Sequence, residues 1–321
     1  MSSKKSKFSI LVLVLLISGI VLHGSSESFS HSRVSNNLDY YTVSEGQSFN
    51  LILEEFSLHP LQKILLKIYL KTNKLNIAQA GHYYLKNKSW RDLLNSMSDG
   101  DVVVFRLKIP AGKNLYEIEK ILLESNLKID CANYQCLDKR FKFLEGTLKP
   151  DTYFYKYLTS SAIILRQSQD QFFELSSNLW ANKHPKSPLI NLTDAIILAS
   201  IVEKEAGNNA EKPIIAGVFL HRLAIGMKLQ ADPTIIYGLL PDFNGDITKA
   251  NLKDKNNPYN TYQIKALPPT PISTISKSSL EAVILGMKND YLYFVAKGDG
   301  THKFSKTYEE HLEAVKKYQL N

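Results

Sequence analysis

The chain has 321 residues, 44% of them hydrophobic and 22% charged, with 15 Gly and 12 Pro, which excludes a collagen-like, low-complexity or wholly disordered polymer. That length suffices for about two domains, and a mean hydropathy of -0.18 excludes a polytopic membrane protein while leaving room for one anchor. The net charge of +8 suits nucleic acid, anionic lipid or an anionic polymer such as cell-wall glycan. The basic residues are scattered, with no aromatic-interleaved stripe, so no nucleic-acid partner is expected.

Lys4, Lys5 and Lys7 precede an apolar run from Phe8 to Leu22. This pattern predicts a basic tail over 1–7 and a hydrophobic segment over 8–24. Small residues at Gly24, Ser25 and Ser26 would allow cleavage as a signal peptide; an uncleaved anchor with its basic end in the cytoplasm is the other reading. Either way the remainder lies outside the cytoplasm. The polar, Ser-rich stretch over 25–37 reads as a linker.

From 38 to 128 the pattern is that of a small α+β module. Tyr41–Phe49 and Arg106–Leu115 each read as a strand and a Gly turn, at Gly46 and Gly112, followed by a short amphipathic helix. Such units recur in carbohydrate-binding modules of the LysM type. Between them, Ala80–Leu85 reads as a turn into a strand, and Ser89–Met97 as a helix with Ser89 as N-cap. The boundary falls around Ile129–Lys142, which holds Cys131 and Cys136. Two thiols with no histidine nearby do not make a zinc site; a small-loop disulfide and two ordinary thiols both remain open.

The segment 129–321 reads as a larger α+β domain. Ala162–Leu179 is helical by pattern. A second helix starts at Asn191 or Thr193 and runs through Glu205, with Asn191 as N-cap and Asp194 in the first turn. Helical spacing puts Leu198, Ile201, Val202 and Glu205 on one face, so Glu205 continues an apolar stripe, while Glu203 lies roughly opposite. A carboxyl group on an apolar stripe is costly to ionise, and its raised pKa suits a general acid near neutral pH. The alternative is a buried glutamate paired with a base such as Arg222, or a frayed helix end. Ile214–Leu223 forms a third helix behind Pro213, with Gly226 as its stop.

Gln230, Asp232 and Thr234 alternate, so on an extended segment they would point one way and present a polar row to a sugar; turn chemistry around Asp232-Pro233 is the competing reading. Asn260 and Tyr262 in Tyr259-Asn260-Thr261-Tyr262 could bind hydroxyls and stack on a sugar face, and Pro268, Pro269 and Pro271 would form a rigid wall. Tyr291–Ala296, the turn Lys297–Gly300 and His302–Phe304 read as a hairpin, and Thr307–Tyr318 as a closing helix. There is no HExxH, Cys/His cluster or Gly-rich phosphate loop, and no GxSxG or SxxK arrangement suggests a serine nucleophile, so no metal or other cofactor is expected.

These residues resemble the endolytic murein transglycosylases of the YceG-like (MltG) family. The resemblance rests on Ala199–Glu205, Leu229–Gly238, Tyr259–Tyr262, Leu267–Pro269, Tyr291–Val295 and Gly300–Phe304, joined by Leu144-Glu145-Gly146 and Pro150–Tyr153. It is dense from about residue 144 onward; the amino half matches in layout, an anchor followed by a LysM-like module. Ala266, Thr270, Ala231 and His221 depart from the family's usual residues. The resemblance implies Glu205 as the catalytic acid, with Glu203, Gln230, Asp232, Thr234, Asn260 and Tyr262 as candidates for holding the sugar. It implies cleavage of the MurNAc–GlcNAc β-1,4 bond within peptidoglycan strands, leaving 1,6-anhydro-MurNAc ends. It favours an uncleaved single-pass anchor in the cell inner membrane, a catalytic domain on the periplasmic side, and peptidoglycan synthases as partners. A glycan hydrolase using Asp232 or Asp151 to position water, and a non-enzymatic membrane-tethered glycan-binding scaffold, are the alternatives.

Overall fold

A computed structural model describes residues 2–35, 38–243 and 245–319, with side chains from Lys7 onward. Met1 and the side chains of Lys4 and Lys5 in the expected tail, Asn36 and Asn37 in the expected linker, and Asn244, Leu320 and Asn321 in the expected catalytic domain lie outside the described residues. The elements run α1 (Ser2–Ser30), β1 (Tyr40–Val43), α2 (Phe49–Glu55), α3 (Pro60–Thr72), β2 (Gly81–Tyr84), α4 (Trp90–Asp99), β3 (Val104–Ile109), α5 (Leu115–Leu123), β4 (Asp151–Lys156), α6 (Ser161–Ala181), α7 (Leu192–Glu205), α8 (Lys212–Ala224), α9 (Asp232–Gly238), α10 (Lys249–Lys253), α11 (Lys277–Ile284), β5 (Tyr293–Ala296), β6 (His302–Ser305) and α12 (Tyr308–Tyr318). The described strands pair two by two: β1 with β2, β3 with β4, and β5 with β6. Helices and strands are thus both present, in the mixed arrangement expected of an α+β chain.

Two compact units emerge, Met1–Phe105 with Phe154–Leu158, and Arg106–Tyr153 with Thr159–Asn321. In the first, α1 carries exposed apolar side chains from Phe8 to Leu22. Lys7–Ser30 is the one stretch among the described residues that is long and apolar enough to cross a membrane. The helix does not stop where a flexible linker was expected. It continues to Ser30, because Ser26 and Ser30 are buried and the Ser26 hydroxyl donates to the Leu65 carbonyl of α3 at 2.8 Å. Val34 N–H then bonds Lys88 O, and Trp90 N–H bonds Ser32 O, so this stretch is tied down rather than slack. Strands β1 and β2 are antiparallel, with Tyr41 opposite Tyr83. Val43 and Tyr83 turn inward onto a core that includes Ile52, Leu53, Leu66, Trp90 and Leu94. Ser89 caps α4 as expected, accepting from Asp92 N–H at 3.1 Å.

The second unit is organised around α7. Helices α6, α8, α9 and α11 all contact it, and every residue from Ala195 to Val202 is buried. The helix is therefore enclosed on all sides over its middle turns, and the single apolar stripe expected for it is too narrow a description. Loop 129–142, read from sequence as a boundary, lies within this unit. Its Tyr134 hydroxyl donates to Leu115 O, its Asp138 N–H donates to Gln169 of α6, and Cys131 and Cys136 form a disulfide.

Gly146 shows how tightly the segment before β4 is fitted. Its φ is +72°, and a Cβ there would sit 2.6 Å from Pro271 Cβ and 3.0 Å from Ser273 O. Both the left-handed backbone and the contact demand glycine. Gly146→Ala is expected to destabilise the chain by roughly 1–3 kcal/mol, read as a lowered midpoint in thermal denaturation of the full chain.

Candidate active site

Asn191 caps α7 by accepting from Asp194 N–H at 2.7 Å, and Leu192–Glu205 follows as an unbroken helix ending at Ala206. Glu205 is the last helical residue, partly exposed where the helix leaves the core. It opens into a cavity of about 480 Å³ that Arg222, Gln230, Asp232 and Tyr262 also line. Tyr293 and His302 of the β5–β6 hairpin and His311 of α12 line the same cavity. Burial, followed by the nearby Asp232 charge, pushes the Glu205 carboxyl up to about 8 despite the opposing pull of Arg222. The negative end of the α7 dipole acts in the same direction. At neutral pH this group carries a proton that it can donate.

The other expected site residues divide clearly. Asp232 and Tyr262 share the cavity with Glu205, and the Tyr262 hydroxyl donates to Asp232 Oδ1 at 2.7 Å. Gln230 lines it too, on a left-handed residue with φ +52°. Arg222 is anchored from below: its Nε donates to Leu292 O at 2.7 Å and its Nη1 donates to Leu229 O.

Thr234 does not join the row expected of it. Asp232 starts helix α9 rather than continuing a strand, so Thr234 turns inward, fully buried, and donates to Ala231 O at 2.7 Å. Asn260 is likewise fully buried. Its amide donates to the carbonyls of Asn251, Leu252 and Asp254, and its Oδ1 accepts from Tyr262 N–H, which leaves no amide group for a hydroxyl. Glu203 is withdrawn from the cavity for a different reason. It forms an ion pair with Lys212 at 3.2 Å, the two side chains 10% and 5% exposed, and accepts from Ser276 N–H and the Ser279 hydroxyl. Burial alone would raise its pKa; the hydrogen bonds from Ser276 and Ser279 and the Lys212 charge outweigh it and hold the group below the usual range. Asp151 lies exposed at the start of β4, paired with Lys149 at 2.9 Å. Leu267, Pro268 and Pro269 wall a separate apolar cleft with Pro188, Ile190 and Leu223. Among the described residues no group of three or more His, Cys, Asp or Glu side chains is placed to hold a metal ion.

The YceG-like family profile matches residues 41–317. The chain belongs to the YceG-like family. This YceG-like chain is 28% identical to the endolytic murein transglycosylase of Bacillus subtilis (strain 168), covering 95% of itself and 91% of that protein. It is also 28% identical to the endolytic murein transglycosylase of Streptococcus pneumoniae serotype 2 over 86% of itself, and spans 58% of that longer relative. A 2.6 Å crystal structure of a yceG-like protein from Listeria monocytogenes superposes with a TM-score of 0.55 at 30% identity, covering 85% of this chain and 98% of that one.

Sequence reasoning left Arg222, Tyr293, His302 and His311 without a place in the site. His302 stood in a recognisable stretch, Gly300–Phe304, but only folding of the hairpin brings it to Glu205's cavity. Two measurements test the electrostatic contrast. Folded Glu205 titrates at about 8 against an ordinary 4.5. Between those two values the unfolded chain's carboxyl ionises freely while the folded one keeps its proton, so stability falls as pH rises from about 4.5 to about 8. Glu205→Gln should melt higher than the wild type at pH 8.5, with the advantage vanishing near pH 4. Lys212→Met, which strands the buried Glu203 carboxylate, should destabilise the chain by about 3–5 kcal/mol in denaturant titrations at pH 7.

Proposed function

We propose that this chain is a membrane-anchored endolytic lytic transglycosylase, cleaving the MurNAc–GlcNAc β-1,4 bond within peptidoglycan strands and leaving 1,6-anhydro-MurNAc ends. The observation that carries the reading is the placement of Glu205 at the end of α7, in a cavity it shares with Arg222, Gln230, Asp232 and Tyr262, where burial pushes its carboxyl up to about 8. The relatives' names supply the substrate class. Glu205 protonates the glycosidic oxygen as the C1–O bond breaks. The resulting carboxylate then takes the proton of the C6 hydroxyl while that oxygen bonds to C1, which returns Glu205 to its starting state. No water is consumed, so one carboxyl group suffices where an ordinary glycosidase uses two. Asp232, oriented by the Tyr262 hydroxyl, lies in the cavity as a charge to stabilise the oxocarbenium-like state, and Gln230 offers its amide to the sugar.

Helix α1 supports a single-pass anchor. The Cys131–Cys136 disulfide fits an oxidising compartment outside the cytoplasm. Cleavage within strands would set the length of nascent glycan beside peptidoglycan synthases. The LysM-like reading of 38–128, as a further glycan contact, belongs to the same proposal; β1–α2 and β3–α5 each run strand, turn, helix, the second of them almost wholly within the second compact unit.

Asp232 in the same cavity favours one second reading, a hydrolase in which it activates water. Product masses separate the two, because hydrolysis leaves reducing ends about 18 Da heavier than anhydro ends. Intact sacculi treated with the full chain should release anhydro-ended fragments. Activity should fall as pH rises through about 8, where Glu205 loses its proton. Glu205→Gln should lower the rate by about 10³-fold or more while retaining the fold. Retention of activity by that variant would remove Glu205 from the role.

A further inference from the structure

His302 is held in a way that no assigned role explains. Glu211, in the loop that follows the Glu205 helix, grips it at two points. Glu211 Oε1 accepts from His302 N–H and Oε2 faces His302 Nδ1, at 2.8 Å each. The two side chains are each 12% exposed. The loop itself is pinned to the hairpin turn: Asn208 Nδ2 donates to Gly300 O at 3.3 Å, and a Cβ on Gly207 would fall 2.5 Å from that same oxygen. Asn208 Oδ1 in turn accepts from Glu211 N–H. A short, rigid connection therefore runs from the end of α7 to His302, and His302 lines the cavity that holds Glu205.

The chemistry of the pair sets the tautomer. Burial would raise the Glu211 carboxyl, but the hydrogen bonds from the His302 side chain and backbone outweigh it and hold it below the usual range. An ionised carboxylate only accepts, so Nδ1 is the protonated ring nitrogen. Nε2 is then a lone-pair acceptor in the neutral ring, and among the described residues no hydrogen bond occupies it. Phe294 packs edge-on at 5.4 Å and fixes the ring plane further. Beside Glu211, itself influenced by Lys297 of the hairpin turn, the titratable and charged groups lining the cavity with His302 are Glu205, Arg222, Asp232, Tyr262, Tyr293, Tyr308 and His311.

We propose that His302 is a substrate-binding residue whose Nε2 accepts a hydrogen bond from a hydroxyl of the sugar bound in the Glu205 cavity, with Glu211 as the positioning residue that fixes its tautomer and orientation. The ligand class, a pyranose hydroxyl, rests on the glycan reading above.

The test uses the full chain in detergent with soluble, uncrosslinked peptidoglycan strands, in a Glu205→Gln background so that binding is read without turnover. His302→Ala should weaken binding about tenfold. His302→Gln, which keeps an acceptor near the Nε2 position, should restore part of that affinity. Glu211→Gln, which no longer fixes the Nδ1–H tautomer, should weaken binding several-fold, with Glu211→Asp restoring part of it. Equal losses in the His302→Ala and His302→Gln variants would mean that His302 only supports the hairpin, and would overturn the proposal. A wild-type chain that releases no anhydro ends, while its strand binding still depends on His302 in this pattern, would defeat the transglycosylase reading and uphold this one.

Discussion

Everything in this site depends on keeping one carboxyl group partly away from water while leaving it reachable. A glutamate becomes a neutral acid near pH 7 only where the protein solvates its anion poorly. The end of α7 meets both demands. Eight consecutive buried residues, Ala195 to Val202, fix the helix in the core, and Glu205 emerges one turn later into the cavity. The Asp232 charge adds to the cost of ionising it, and Arg222, tethered to two backbone carbonyls, limits that cost without closing an ion pair among the described residues.

Glu203 is the control built into the same helix. It too is withdrawn from water, yet its pKa moves the other way, because Ser276, Ser279 and Lys212 satisfy its anion. Two glutamates two residues apart thus differ in protonation because their surroundings differ, the pattern by which an enzyme separates an acid from a structural carboxylate. Glu203 ties α7 to α8 and α11 through Lys212 and the serines. That bracing helps keep the end of α7, and so Glu205, in register with the cavity.

Much of this was legible in the chain before any fold was known. The Asn191 cap and the long apolar pattern placed α7, and helical spacing set Glu205 apart from Glu203. The hairpin over 291–304 was equally plain, from its aromatic and β-branched strand and its Gly-Asp-Gly turn. Local rules failed where a residue's partner is distant in sequence. Alternation made Gln230, Asp232 and Thr234 look like one polar row, but Pro233 near the first turn of α9 converted the segment to helix and sent Thr234 into the core. Asn260 had the right chemistry for a hydroxyl, yet three backbone carbonyls at the end of α10 consumed its amide. The Ser-rich run after the anchor looked like a tether because composition does not reveal that α3 offers it a carbonyl.

The central claim is that Glu205 carries its proton at neutral pH, and a direct titration tests it. The full chain with ¹³C-labelled glutamate, assigned by difference against Glu205→Gln, should show one carboxyl resonance with a midpoint of about 8. A midpoint near 4.5, the ordinary value for glutamate, would mean that the group is an anion at pH 7 and would contradict its role as the acid.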